Sequence, residues 1–161
     1  MLVSFNHLPD FSRVWVFQSS RELNNNEIKE IESKLDLFIT NWTSHGKGLE
    51  AGFTTPYKRF IVIGLNENHQ TASGCSIDSC VNFIKILEGE YKIDLLDKMN
   101  VTYRDKKTIN YITLSEFRLL IKNRKISRET IVFNNLVLNK EQFNDQWEVP
   151  IDSSWHNRFF K

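Results

Sequence analysis

Cysteine is scarce in this chain, with only Cys75 and Cys80 among 161 residues. Two thiols cannot build a disulfide framework or a cysteine-rich metal cluster, and a chain of this length buries roughly two-thirds of its unfolded surface without such staples. Five positions apart at the start of one helix, they would stand about 140° apart around the axis, which is poor geometry for pairing. They read as free thiols of a reducing compartment. Net charge is equally slight: 21 Lys+Arg against 20 Asp+Glu leave +1, which gives no electrostatic case for nucleic acid or an anionic membrane. No apolar run approaches the roughly 18 residues of a membrane span, and Met1 to Asp10 lacks the basic flank and apolar core of a signal peptide. A cytoplasmic location is the expectation, with neither nucleic acid nor membrane as partner. Without export, the sequons at Asn41 and Asn100 carry no meaning.

Several motifs are also missing. There is no G-x-S-x-G elbow, no dinucleotide fingerprint, no paired-carboxylate signature, no internal repeat and no Gly/Ser linker. His7, His45, His69 and His156 lie far apart, with no His/Cys pair at zinc spacing, so no metal and no cofactor is implied. A composite site from His45, His69 and Cys75 is the one combination left open.

What is present is a readable order of elements. Val14 to Phe17 is a short all-apolar run, expected as a strand buried on both faces. Asn24 with Glu27 resembles a capping box, and Ile28, Ile31, Leu35, Phe38, Ile39 and Trp42 recur at helical spacing behind it. Leu49, Ala51 and Phe53 alternate with polar or small residues as in a half-exposed strand, and Thr55-Pro56-Tyr57-Lys58 supplies a turn. Phe60 to Ile63 predicts a second fully buried strand. The polar loop Asn66 to Asp78 follows, and Ile77, Cys80, Val81, Ile84 and Leu87 then predict a helix ending near Gly89. Val101 and Tyr103 begin a further alternating strand.

This order is β-α-β-β-α-β. It predicts an α+β fold of the ferredoxin-like split β-α-β-β-α-β type, with the two all-apolar strands in the middle of the sheet and the alternating strands at its edges. From Lys106 the chain exceeds that plan. Thr108 to Ile112 extends or pairs with the fourth strand, Thr113 and Glu116 open a helix with Phe117, Leu120 and Ile121 facing inward, and Ile131 to Phe133 reads as a strand. Asn139 caps a short helical turn through Phe143. Trp147, Trp155, Phe159 and Phe160 then crowd a polar tail, and so many aromatics argue that it packs against the body. The expectation is one domain over 1–161, a core of about 12–105 with an integral α/β appendage of about 106–161. Exposed edge strands make a homodimer by edge pairing conceivable.

In the split topology the first helix returns the chain to the end of the sheet where the third strand finishes. The turn Thr43 to Gly48 should therefore stand beside the loop Asn66 to Cys75. His45, His69 and Cys75 become candidate catalytic residues, and Ser73, Gly74, Ser76 and Lys47 candidate ligand-binding residues, because a helix N-terminus favours negative charge and lowers a thiol's pKa. Two readings of Cys75 compete. In one it is a thiolate nucleophile or redox thiol with His45 or His69 as base. In the other Ser73 or Ser76 is an N-cap, Gly74 a turn residue and Cys75 a small buried filler. For His45 the plain reading is a helix C-terminal residue ahead of Gly46 in the left-handed conformation. His156 is expected to pack and cap the tail.

The segments Trp42 to Lys47, Ala72 to Asp78, Thr130 to Asn135, Trp147 to Pro150 and Ser154 to His156 resemble a family of small uncharacterised bacterial proteins often labelled "ABC transporter ATPase". The resemblance covers nearly the whole chain and implies a common fold without an activity. The label itself does not suit these residues: around Gly46-Lys47, a P-loop would need Gly at Asn41 and Ser or Thr at Gly48. The stretch Leu114 to Phe133 more faintly resembles small peptide-binding domains of the GYF type. The functional expectation is a small-ligand or anion-binding domain with a thiol at the start of the second helix; the alternative is a non-catalytic protein-interaction module.

Overall fold

The computed structural model describes all residues, 1–161. The chain is mixed α and β with antiparallel sheets, and it divides into two compact units. Residues Met1–Leu96 with Leu138–Glu141 form the first, and Asp97–Val137 with Gln142–Lys161 the second. No helix is long and apolar enough to cross a membrane.

The first unit is built on β1 (Arg13–Gln18), α1 (Asn25–Thr40), the short strands β2 (Thr43–Ser44) and β3 (Lys47–Gly48), then β4 (Glu50–Thr54), β5 (Phe60–Asn66) and α2 (Gly74–Tyr91). Its main sheet has the order β1-β5-β4, both pairs antiparallel. That is the order expected of the first three strands of the split arrangement. Strand β5 is central and buried along its whole length, as its all-apolar run predicts. The same expectation for Val14 to Phe17 is corrected, since Trp15 and Val16 are only half-buried and β1 borders a single full strand.

The expected fourth strand is the reason. Strand β6 (Val101–Asp105) does not join this sheet; it forms a hairpin with β7 (Thr108–Ile112), paired over five residues across the two-residue turn Lys106-Lys107. A partner two residues away closes a loop at far lower entropy than an edge reached after a long crossover. The edge of β1 instead receives Leu138, whose carbonyl accepts from Val14 N at 3.1 Å, and Asn139, bridged to Arg13. The ferredoxin-like order thus stops at three strands.

One face of the sheet carries the helices. Phe17, Ile61, Ile63 and Leu65 meet Ile31, Leu35 and Ile39 of α1 and Cys80, Ile84 and Leu87 of α2 in one apolar cluster. The capping box read from Asn24 and Glu27 is formed, with Glu27 N donating to Asn24 Oδ1 at 2.8 Å. On the opposite face Gly52 and Gly64 lie side by side, and the N-terminal segment crosses over them. A Cβ on Gly52 would meet Val3 O at 2.5 Å, and one on Gly64 would meet Leu8 Cδ1 at 2.6 Å. The half-exposed strand expected at Leu49 to Phe53 is therefore covered at Gly52, where only glycine admits the crossing backbone. Lys140, itself buried, donates to the carbonyls of Asn6 at 2.8 Å and Leu8 at 2.7 Å, and so fastens this segment from its far end.

The second unit comprises the β6-β7 hairpin, α3 (Leu114–Lys122), β8 (Ile131–Phe133), all but the first two residues of α4 (Lys140–Gln146), and β9 (Glu148–Pro150). Its sheet has the order β7-β6-β8-β9. Thr113 caps α3 as its sequence predicts, accepting from Glu116 N at 3.1 Å. Phe117, Val101, Val132 and Ile151 make its small core, and the tail is folded with it: Phe159 packs edge-on to Phe117 at 6.1 Å, and Trp147 lies 4.9 Å from Phe133.

Candidate functional site

The loop leading into α2 is fixed by its own side chains. Asn66 Nδ2 donates to Glu50 Oε2 at 2.5 Å, Asn68 N to Asn66 Oδ1 at 3.0 Å, and Ala72 N to Glu67 Oε2 at 3.0 Å. Ser73 is the N-cap. Its hydroxyl accepts from Ser76 N at 3.1 Å while Ser76 Oγ accepts from Ser73 N at 2.6 Å, a capping box in which serine replaces the usual glutamate. Gly74 and Cys75 follow at the first two helical positions, where backbone N–H groups have no intrahelical acceptor.

Facing this loop is a tight hairpin. Strands β2 and β3 are joined by His45 and Gly46 at φ 52° and 77°, the geometry of a two-residue type I′ turn. The reading of His45 as a helix C-terminal residue is corrected: α1 ends at Thr40, and His45 is presented from a hairpin tip. Between helix and hairpin stands Trp42, buried, whose indole N–H donates to Ser76 O at 2.8 Å. This bond ties the exit of α1 to the first turn of α2. Its anchoring role is not visible in periodicity, which marks Trp42 only as apolar.

The two segments meet at one groove of about 720 Å³ between α1 and α2. His45, Ser73, Cys75 and Ser76 line it, as do Thr43 and Ser79. The helices run antiparallel along it, since Trp42 meets Ser76, Phe38 stacks on Phe83 at 4.5 Å with planes 12° apart, and Lys34 pairs with Glu90. From Ser76 to Glu90 the groove follows α2 for about 20 Å at 1.5 Å per residue. Its walls are apolar, with Phe38, Phe83 and the exposed side chains of Leu37 and Ile86 at 68% and 58% of full accessibility. One end is thus polar and thiol-bearing, the middle is apolar, and the far end is an ion pair joined by Tyr91, whose hydroxyl accepts from Lys34 Nζ at 3.0 Å. The hydrogen bond to Glu90 raises the Lys34 pKa and holds the ammonium charged.

The sequence-expected residues divide accordingly. Lys47, His69 and Gly74 do not line the groove. No group of three or more His, Cys, Asp and Glu side chains is placed to hold a metal ion, so the composite of His45, His69 and Cys75 is not assembled. Ser73 and Ser76 line the groove, yet their hydroxyls are committed to the cap, and Ser79 Oγ donates to Ser76 O at 2.9 Å. The polar side chains at this end that are not spent on the cap are the Cys75 thiol, the His45 imidazole, the Thr43 hydroxyl and the Asn41 amide, whose Nδ2 donates to Leu37 O at 2.9 Å. Cys75 is exposed, which overturns its reading as a buried filler; that part belongs to Cys80, where burial pushes the thiol up to about 12. Phe83 and Ser79 were missed in the sequence because they fall beside the most apolar stripe of α2, on the flank that the groove uses. Comparison with protein-family models, curated proteins and solved structures finds no match to this chain.

Proposed function

We propose that the first unit binds a small amphipathic molecule in the α1–α2 groove, its apolar body along Phe38 and Phe83 and its polar head at the end bearing Cys75 and His45. The observation that carries this reading is the convergence of the β2-β3 turn and the first turn of α2 on one apolar groove. Ligand sites combine an apolar lining with a few convergent polar groups, and this groove has that composition. The free N–H groups at the start of α2 favour a head that is negative or hydrogen-bond accepting. Cys75 then stands where it can react with, or be shielded by, the head group. The reading has no use for ATP, and the proposed role is not that of an ATP-hydrolysing transporter subunit.

The test uses 1-anilinonaphthalene-8-sulfonate, which has an aromatic body and an anionic head. Saturable binding at one site, abolished by Ser79→Trp with the melting temperature unchanged, and slower maleimide labelling of Cys75 in its presence are the expected results. Binding that ignores Ser79→Trp and leaves Cys75 labelling unchanged refutes the groove. The exposed Leu37 and Ile86 favour a second reading, in which the groove receives part of another protein; a groove that rejects small amphiphiles but loses a protein partner on Leu37→Asp would support it.

A further inference from the structure

The second unit carries an unbalanced run of charge independent of the groove. Between Glu116 and Glu129 stand Arg118, Lys122, Arg124, Lys125 and Arg128 with no carboxylate among them, and all five are exposed. Only Arg128 has an acidic partner, Asp152 at 3.2 Å, and both groups are at least half-exposed, so that pair neutralises little. Arg118 and Arg158 have no carboxylate within ion-pair reach.

These two arginines are nevertheless held in place. The guanidinium of Arg118 lies 4.9 Å from the centre of the Phe159 ring, and that of Arg158 lies 5.2 Å from the same ring and 5.1 Å from Trp155. Phe159 is in turn braced by Phe117 and by Trp155, whose ring centre is 5.9 Å away. A mobile surface lysine loses side-chain entropy when it binds an anion; a guanidinium already resting on a braced ring has lost much of it beforehand, while its N–H edges remain free for planar acceptors. Two such groups on one ring, flanked by Lys122 one helical turn from Arg118, make a preorganised cationic face on α3 and the C-terminal 3-10 turns, Trp155–Phe160.

We propose that this face docks an acidic, extended segment of another protein, with adjacent carboxylates accepting from Arg118 and Arg158. Charge complementarity and the planar N–H edges favour carboxylates. Single-stranded nucleic acid is the weaker fit because the arginines already occupy ring faces on which bases would stack.

Fluorescence anisotropy of a short fluorescein-labelled peptide of alternating Glu and Gly, titrated with the full chain, tests it. Saturable binding is expected, weakened at least about tenfold by Arg118→Gln with Arg158→Gln, and weakened also by the charge-retaining pair Arg118→Lys with Arg158→Lys, because lysine loses the stacked bidentate fork. The lysine pair keeps the experiment decisive if the glutamine pair does not fold, and the 1-anilinonaphthalene-8-sulfonate response of the first unit should stay unchanged throughout. Absence of saturable binding, or lysine variants that bind like the parent, overturns the proposal. So does tighter binding of an oligouridylate or of phosphatidylserine vesicles at the same salt concentration.

Discussion

Trp42 is the residue on which the geometry of the groove depends, and Trp42→Phe isolates its contribution. The substitution keeps an aromatic ring among Phe38 at 5.4 Å and Trp15 at 6.0 Å and removes the bond to Ser76 O. Ser76 O retains Ser79 Oγ at 2.9 Å, so the carbonyl is not orphaned and the loss is that of one neutral buried hydrogen bond, about 1 kcal/mol net. Phenyl also leaves about 40 Å³ of the indole's space unfilled, worth about another 1 kcal/mol at the cost observed for buried cavities. Together they predict a destabilisation of the first unit by about 2 kcal/mol.

The assay must report the first unit alone, because a chain of two units need not unfold in one step. Cys80 serves that purpose. It is buried in the α1–α2 core, and in a Cys75→Ser background it is the only thiol. When reclosing is faster than alkylation, its labelling rate follows the open population, so Trp42→Phe should speed labelling about 30-fold. Binding of 1-anilinonaphthalene-8-sulfonate should weaken at the same time, because the turn carrying His45 is no longer tied to α2. An acceleration below about threefold would mean that the indole bond holds nothing, and the account of how His45 and Cys75 are brought together would fall.

Two further outcomes follow from the packing and the buried histidine. Gly52→Ala should destabilise more than Gly64→Ala, because its Cβ would meet backbone atoms, Val3 O at 2.5 Å and Phe5 N at 3.0 Å, whereas at Gly64 the nearest atoms belong to the movable side chains of Leu8 and Phe5; overpacking costs about 1–3 kcal/mol, and equal losses in urea melts would refute the distinction. His156 is buried, and desolvation, with a smaller repulsion from the Arg158 charge, lowers its pKa from 6.5 to about 4. Its folded pKa lies below the unfolded one, so the unfolded chain takes up the proton first and the second unit loses stability as pH falls from about 6.5 towards 4, by about 3 kcal/mol in all. His156→Gln should flatten that dependence in denaturant melts taken between pH 7 and 4.5; a variant with the parent's slope would sink the assignment.

The helix caps were legible because each is a local chemical pattern: Asn24 with Glu27 and Thr113 with Glu116 need only their own turn. The order of the first three strands and the meeting of the His45 turn with the Cys75 loop were legible for a related reason, since apolar runs and chain direction constrain where each element ends. The fate of Val101 to Asp105 was not, because alternation tells which face of a strand is apolar and nothing about which neighbour it chooses. There the decision lay in a two-residue turn, Lys106-Lys107, with Lys106 at φ 57° and no glycine to announce it. The covering of Gly52 and Gly64 was hidden likewise, because small residues in a strand signal close approach without naming what approaches.

The two cysteines give the candidate site an internal comparison. They share one helix and differ by about 140° around its axis, and that rotation alone separates a thiol in the core, pushed up to about 12, from one on the groove. Exposure by itself does not make Cys75 functional, and neither does its place at a helix start. In the proposed reading what distinguishes it is that the neighbouring hydroxyls of Ser73, Ser76 and Ser79 are spent on helix bonds, leaving the thiol, with the imidazole of His45, the hydroxyl of Thr43 and the amide of Asn41, at the polar end of an apolar groove where a head group would sit. A ligand seated there must cover Cys75 and cannot reach Cys80. The two labelling rates, with and without amphiphile, therefore separate occupancy of the groove from a general stabilisation of the fold: occupancy slows Cys75 by shielding it and slows Cys80 by lowering the open population, whereas stabilisation without occupancy slows Cys80 and leaves the exposed thiol as it was.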